Sequence, residues 1–218
     1  QLLYGQHCAT WHMKQLKQHI KCYGHTATSP PGLAVIQVGS DPASSIYVRK
    51  KREACKAVGI QTFNHDLPAQ TTQQHLLTLI KSLNEQPYIH RILMQLPLPQ
   101  HIDKQAVIEA IDPKKDVDGI HPYTLGRLAQ KFPIFQPCTP YGILLLLEYT
   151  KRPILGLNTV IVGASTIVGR PAALSFLSAG ATVTLCHTAT THLSHHIQQA
   201  ECLIVAIGNP NVIDAAWI

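Results

Sequence analysis

Charge is scarce in this chain. Asp, Glu, Lys and Arg make up 14% of its 218 residues, where about a quarter is usual. Gln, His and Thr carry much of the polar surface instead. Acidic residues are the scarcer sign, 12 against 18 basic, leaving +6 with neutral His. That excess favours anionic partners such as phosphates, carboxylates or nucleic acid. Long apolar runs are also missing. The longest purely aliphatic run, 143–147, falls far short of the roughly 20 residues a membrane-spanning helix needs, so no membrane association is expected. No secretory leader is visible, and the chain opens on Gln1 rather than Met, so its natural start is expected upstream. No CxxC pair occurs among Cys8, Cys22, Cys55, Cys138, Cys186 and Cys202. That disfavours a zinc site and a disulfide framework, and the six read as reduced thiols in a cytoplasmic protein. His192, His195 and His196 read as a polar helix face. No converging partner completes a ligand set around them, so no metal is expected.

Enough apolar residues are present, 45%, for a sizeable core in one large domain or two small ones. Runs of Val, Ile and Leu alternate with helical patterns, the mark of an α/β protein. Strands are predicted at 33–38, 61–66, 91–94, 159–162, 182–186 and 202–207. Helices are predicted at 42–58, closed by Gly59, and at 72–83, where Leu76, Leu79, Ile80 and Leu83 share a face. Further helices are expected at 103–111 with an Asp cap, and at 141–149, 168–179 and 192–199. Between these, 112–140 is rich in Pro, Gly and Asp and reads as a long functional loop. A domain boundary is placed near 139, giving 1–138 and 139–218. No fixed-period repeat is evident.

Four stretches could carry chemistry. Gly163-Ala-Ser-Thr-Ile-Val-Gly169-Arg170 follows an apolar strand and opens a helix, the setting of a dinucleotide-binding turn. Ser165 stands where a second Gly is usual, and Gly169 comes one position late. The next strand ends in Cys186-His187-Thr188, without the carboxylate that would favour NAD, which leans toward NADP. Arg49-Lys50-Lys51-Arg52 is a basic run, but helical neighbours diverge by about 100°, so at most two can enter one cleft. Tyr47 and Lys51, four apart, share a face. A lysine serves as a base only where burial or a neighbour lowers its pKa. Gln95, ahead of Leu96-Pro-Leu-Pro99, sits at a strand's carboxyl end, where α/β ligand crevices lie. Lys115-Asp-Val-Asp118-Gly119 offers two carboxylates for a metal, an amino-pyrimidine edge or nearby N–H groups.

Taken in order, Tyr47-xxx-Lys51, Gln95-Leu-Pro-Leu-Pro, Lys115-Asp-Val-Asp-Gly, Pro137-Cys-Thr-Pro and Gly163-Ala-Ser-xx-Val-Gly-Arg-Pro resemble one family. It is the bacterial type of bifunctional methylenetetrahydrofolate dehydrogenase/methenyltetrahydrofolate cyclohydrolase, and the resemblance covers essentially the whole chain. It implies two α/β domains with a cleft between them, the first binding folate and the second a Rossmann-like NAD(P)-binding domain. It implies oxidation of 5,10-methylenetetrahydrofolate with NADP, NAD being the alternative, followed by hydrolysis to 10-formyltetrahydrofolate. Lys51 would be the catalytic lysine, Gln95 its hydrogen-bond partner, Tyr47 a folate-packing ring, and Asp118 the group on the pterin's amino-pyrimidine edge. Gly163, Ala164 and Ser165 would lie against the cofactor phosphates, with Gly169, Arg170 and Thr188 completing the cofactor-binding set. Thr188 stands where many bacterial relatives carry Arg. The resemblance further implies a homodimer in cytoplasmic one-carbon metabolism and purine biosynthesis. It also implies more Rossmann strands, a Pro-Gly-Gly-Val-Gly-Pro segment and a returning helix after Ile218.

Three rival readings remain. A short-chain dehydrogenase also uses Tyr-xxx-Lys, but there the Gly-rich turn precedes the Tyr. A nucleic-acid-binding module using 49–52 would need interleaved aromatics to stack bases. An inactive relative would bind folate without turning it over.

Overall fold

The computed structural model describes residues 2–23, 29–209 and 211–218. By its contacts the chain forms two compact units, Gln1–Val117 and Asp118–Ile218. Each is built around a parallel sheet.

In the first unit every residue of strand β1 (Gly32–Val38) is buried. β1 lies between β2 (Gln61–Leu67) and β3 (Arg91–Met94), parallel to both. A parallel strand covered on both faces has no polar side to spare, hence the unbroken Leu-Ala-Val-Ile run. Alternate residues serve opposite faces. Ala34, Ile36 and Val38 meet helices α3 (Gln73–Glu85) and α4 (Lys104–Ala110) through Leu76, Ile80, Leu83 and Val107. Leu33 and Val35 meet Val48 and Cys55 of α2 (Pro42–Val58) on the other face. α2 starts where Asp41 accepts the Ser44 N–H at 2.8 Å and Pro42 presets the first turn, and it stops at Gly59 with φ +94°. Helix α1 (Gly5–Tyr23) packs on α2. The sequence reading assigned it no element. Its inward side mixes Cys8 with His12, Met13 and Gln15 rather than showing an apolar stripe.

The second unit repeats the plan. β4 (Asn158–Val162) is central between β5 (Thr182–Cys186) and β6 (Cys202–Val205), all parallel. Ile161 and Ile204 pack against α6 (Cys138–Tyr149) and α7 (Gly169–Ser178) through Leu144, Ala172 and Phe176. Val160, Val162 and Cys186 pack against Ile197 of α8 (Leu193–Gln198). The stretch 112–140 corrects the sequence reading, because it is not one long loop. It contains helix α5 (Pro122–Ala129), and α6 begins at Cys138, three residues earlier than expected. His121 supplies an unusual cap, its Nδ1 accepting the Tyr123 N–H at 3.0 Å, and Pro122 opens the helix. Thr124 and Leu128, one turn apart, are fully buried. Among the described residues no helix is long and apolar enough to cross a membrane.

Candidate active site

The basic run separates as helical geometry requires. Arg49 lies 3.9 Å from Glu53, and Arg52 forks onto both carboxylate oxygens of Asp66 at 2.5 and 3.2 Å. Lys51 turns the other way, toward β3. Its Nζ donates to Gln95 Oε1 at 3.4 Å. The direction of the Gln95 amide is set from behind. Its Nε2 donates to the Leu96 carbonyl at 2.7 Å, which leaves Oε1 for the lysine, and its backbone N–H bonds Ile36 at the end of β1. Ser44 Oγ also donates to the Leu96 carbonyl, at 3.4 Å. The sequence reading gave Ser44 no role, and its position seven residues before Lys51 on the same helix was the only available signal. Tyr47 is 63% exposed, so its ring is open to a ligand. The first unit thus brings Lys51 and Gln95 together where β3 ends, with Tyr47 one turn before Lys51 on α2.

The Lys115-Asp-Val-Asp-Gly stretch runs beside the start of β3. Ile92 N–H donates to the Lys115 carbonyl at 2.7 Å and Val117 N–H to the Ile92 carbonyl at 3.4 Å, making a short arm beside β3. The Lys115 ammonium is drawn to the end of α3. Burial there pushes its pKa below the ordinary lysine value, and Asp112 partly offsets this. Asp118 and Gly119 belong to the second unit. There Cys138 N–H donates to the Asp118 carbonyl at 3.4 Å. Gly119 has φ +68°, and a Cβ on it would lie 3.0 Å from Pro137. Glycine is therefore required for the 118–119 turn to rest on the Pro137-Cys138 start of α6.

At the end of β4, Gly163 adopts φ +114°, and a Cβ there would meet the Ala206 carbonyl oxygen at 2.3 Å. A Cβ on Gly169 would meet the Gly163 oxygen at 1.7 Å. Gly169 therefore fills the role of the last glycine of a dinucleotide turn, letting helix and strand touch, although it comes one residue late. Ser165 replaces a glycine and adds a function. Its Oγ accepts the Val168 and Gly169 N–H groups at 3.1 and 3.3 Å, which closes the turn and leaves the hydroxyl hydrogen to be given outward. Arg170 Nε donates to the Ala164 carbonyl at 3.0 Å. The first turn of α7 has no acidic side chain to compete with an anion. Gly163 N–H bonds the Cys186 carbonyl, which brings exposed Thr188, two residues on, to the same end of the sheet. No carboxylate follows β5. The loop is closed by Thr190 Oγ1 on the His187 N–H and by His187 Nδ1 on the Ala189 N–H. These features fit a phosphorylated dinucleotide. Among the described residues no group of three or more His, Cys, Asp or Glu is placed to hold a metal ion.

Comparison with known proteins agrees. The profile of the tetrahydrofolate dehydrogenase/cyclohydrolase catalytic domain matches residues 3–118, and that of the family's NAD(P)-binding domain matches 137–218. This chain belongs to the tetrahydrofolate dehydrogenase/cyclohydrolase family. The "Bifunctional protein FolD" of Legionella pneumophila (strain Paris) is 48% identical over 217 residues, covering 100% of this chain and 76% of that protein. The bifunctional FolD dehydrogenase/cyclohydrolase structure from Campylobacter jejuni is 42% identical, with TM-score 0.94 over 100% of this chain and 77% of the other. The Trypanosoma brucei FolD, solved with NADP cofactor and an inhibitor, is 33% identical, with TM-score 0.95 over 100% of this chain and 75% of that one.

Proposed function

We propose that the chain oxidises 5,10-methylenetetrahydrofolate to the 5,10-methenyl cation with NADP, then hydrolyses that cation to 10-formyltetrahydrofolate. The observation that carries this reading is the Lys51–Gln95 pair at the carboxyl end of the first sheet, in a chain of this family. When bound, the nicotinamide supplies the acceptor for the hydride that leaves the methylene carbon. In the second step water adds to the methenyl carbon and loses one proton, and the bond from that carbon to N5 breaks as the remaining hydroxyl proton passes to N5, leaving a formyl group on N10. Lys51 lies against the one-carbon bridge and handles the proton that the water loses. Gln95 Oε1 fixes the direction of the amine. Tyr47 packs flat on the folate, and Asp118 pairs its carboxylate with two N–H donors of the amino-pyrimidine edge. Gly163, Ala164, Ser165, Gly169 and Arg170 hold the cofactor phosphates, with Thr188 beside the ribose.

The functional division falls near 139 rather than at the contact boundary, so that 1–138 binds folate and 139–218 binds nucleotide. The protein works as a cytoplasmic homodimer, and its 10-formyl product feeds purine biosynthesis. The test is a spectrophotometric assay of full-length protein with methylenetetrahydrofolate, run in parallel with NADP and NAD. NADP reduction followed by loss of the methenyl absorbance is expected, and no turnover with either nucleotide would favour the inactive relative. Lys51→Ala is expected to abolish methenyl hydrolysis while leaving the melting curve near wild type, because a helix accommodates Ala. Unimpaired hydrolysis by that variant would remove Lys51 from its role.

A further inference from the structure

Helix α3 lacks a glycine at its end, and its cap residue Gln86 is extended at φ −77°, ψ 121°. The last carbonyls of such a helix carry partial negative charge and need partners. The Gln86 and Ile89 N–H groups reach the Leu83 and Gln86 carbonyls at 3.4 and 3.3 Å, and one side chain gathers the end as a whole. Lys115 Nζ donates to the carbonyls of Leu83, Asn84 and Gln86 at 3.0, 2.7 and 2.9 Å, using all three of its donors. The Asn84 side chain clips the same region from the other direction. Its Nδ2 donates to the Ala110 carbonyl at 2.8 Å, and its Oδ1 accepts the Asp112 N–H at 3.0 Å. The segment that returns from α4 is thus pinned at 110 and 112 by Asn84 and at 115 by its own ammonium. It is pinned again at 115–117 by the backbone of Ile92. Asp118 is the next residue.

A lysine is an odd choice if the only need were to end α3, since Gly at the cap would do that locally. What Lys115 adds is a link from the helix end to the arm that precedes Asp118. We propose that Lys115 is a positioning residue for folate recognition, its ammonium anchoring the 115–117 arm on the end of α3 so that Asp118 is presented in register. This rests on the assignment of Asp118 to the folate made above.

The test measures affinity for tetrahydrofolate and for NADP in full-length Lys115→Met, Lys115→Arg, Asp118→Ala and the Lys115→Met/Asp118→Ala double variant. Lys115→Met is expected to weaken tetrahydrofolate binding about tenfold while NADP affinity stays within about twofold. The double variant should bind tetrahydrofolate no more than about twofold worse than Asp118→Ala, because groups acting through one another are not additive. Lys115→Arg should recover part of the loss. Equal losses for both ligands, or full additivity in the double variant, would overturn the proposal by making Lys115 merely structural. Asp118→Ala weakening folate while Lys115→Met does not would overturn it with the Asp118 assignment intact. Wild-type folate affinity in Asp118→Ala would overturn both. Should Lys115→Met fail to fold, Asn84→Ala keeps the ammonium cap and loosens the same arm, and the same folate-selective loss is expected at smaller size.

Discussion

Two glycines in helices make opposite predictions. Gly169 has the Gly163 carbonyl where its Cβ would be, whereas Gly142 in α6 has nothing within 4 Å. Gly169→Ala is expected to cost about 1–3 kcal/mol through overpacking and to lower NADP affinity by more than tenfold, since the backbone of the turn must move. Gly142→Ala is expected to be neutral or to stabilise by up to about 1 kcal/mol. Thermal melts and a nucleotide titration of both variants check the pair. The thiols give a pH prediction. Burial pushes Cys186 and Cys202 above the ordinary thiol value of 9.0, Thr159 partly opposing it at Cys202. Their raised folded-state pKa means that the neutral thiols' contribution is complete below 9.0 and is lost as pH climbs past it. Stability should therefore fall only as pH climbs past 9.0. A Cys186→Ala/Cys202→Ala variant should show a shallower slope there in denaturant titrations at stepped pH.

Helix ends were the most legible part of the sequence, because capping chemistry is local. Asp103 accepts the N–H groups of Gln105 and Ala106 at 2.8 and 3.4 Å. Asp103→Ala should cost about 1 kcal/mol, read as a shift in urea midpoint at unchanged slope. The same locality made Gly59 and the β1 run readable in advance. α5 was missed for the converse reason. Its start depends on a histidine cap, and its burial depends on α7, which lies some 40 residues further along the chain. Neither leaves a period-3.6 apolar stripe among the prolines of 112–140. That Lys51 and Gln95 could converge was legible because each follows a strand of one α/β sheet, while their hydrogen bond was implied by the family resemblance. What the sequence could not convey was the orientation of the Gln95 amide, which the Leu96 carbonyl decides, or the reach of Lys115 to the end of α3. Both depend on where a backbone oxygen lies in space.

At the level of the whole molecule, two sheets of the same strand order divide the ligands between them in the reading proposed above. A ligand at about a hundred times its Kd adds about 2.7 kcal/mol to the state that holds it. Saturating NADP should therefore raise the thermal midpoint. In hydrogen exchange it should slow the amides of 163–170 and 187–190 most. Protection confined to 2–117 would place the nucleotide elsewhere. The excess of 18 basic over 12 acidic residues should make the affinity for the phosphorylated nucleotide fall as salt rises.

The Ser165 hydroxyl, which ties the 163–169 turn together through two backbone N–H groups, has a corollary for its removal. Ser165→Ala takes away the acceptor that both N–H groups share at the start of α7. Deuterium uptake at 168 and 169 should quicken in that variant well before the rest of the helix loosens.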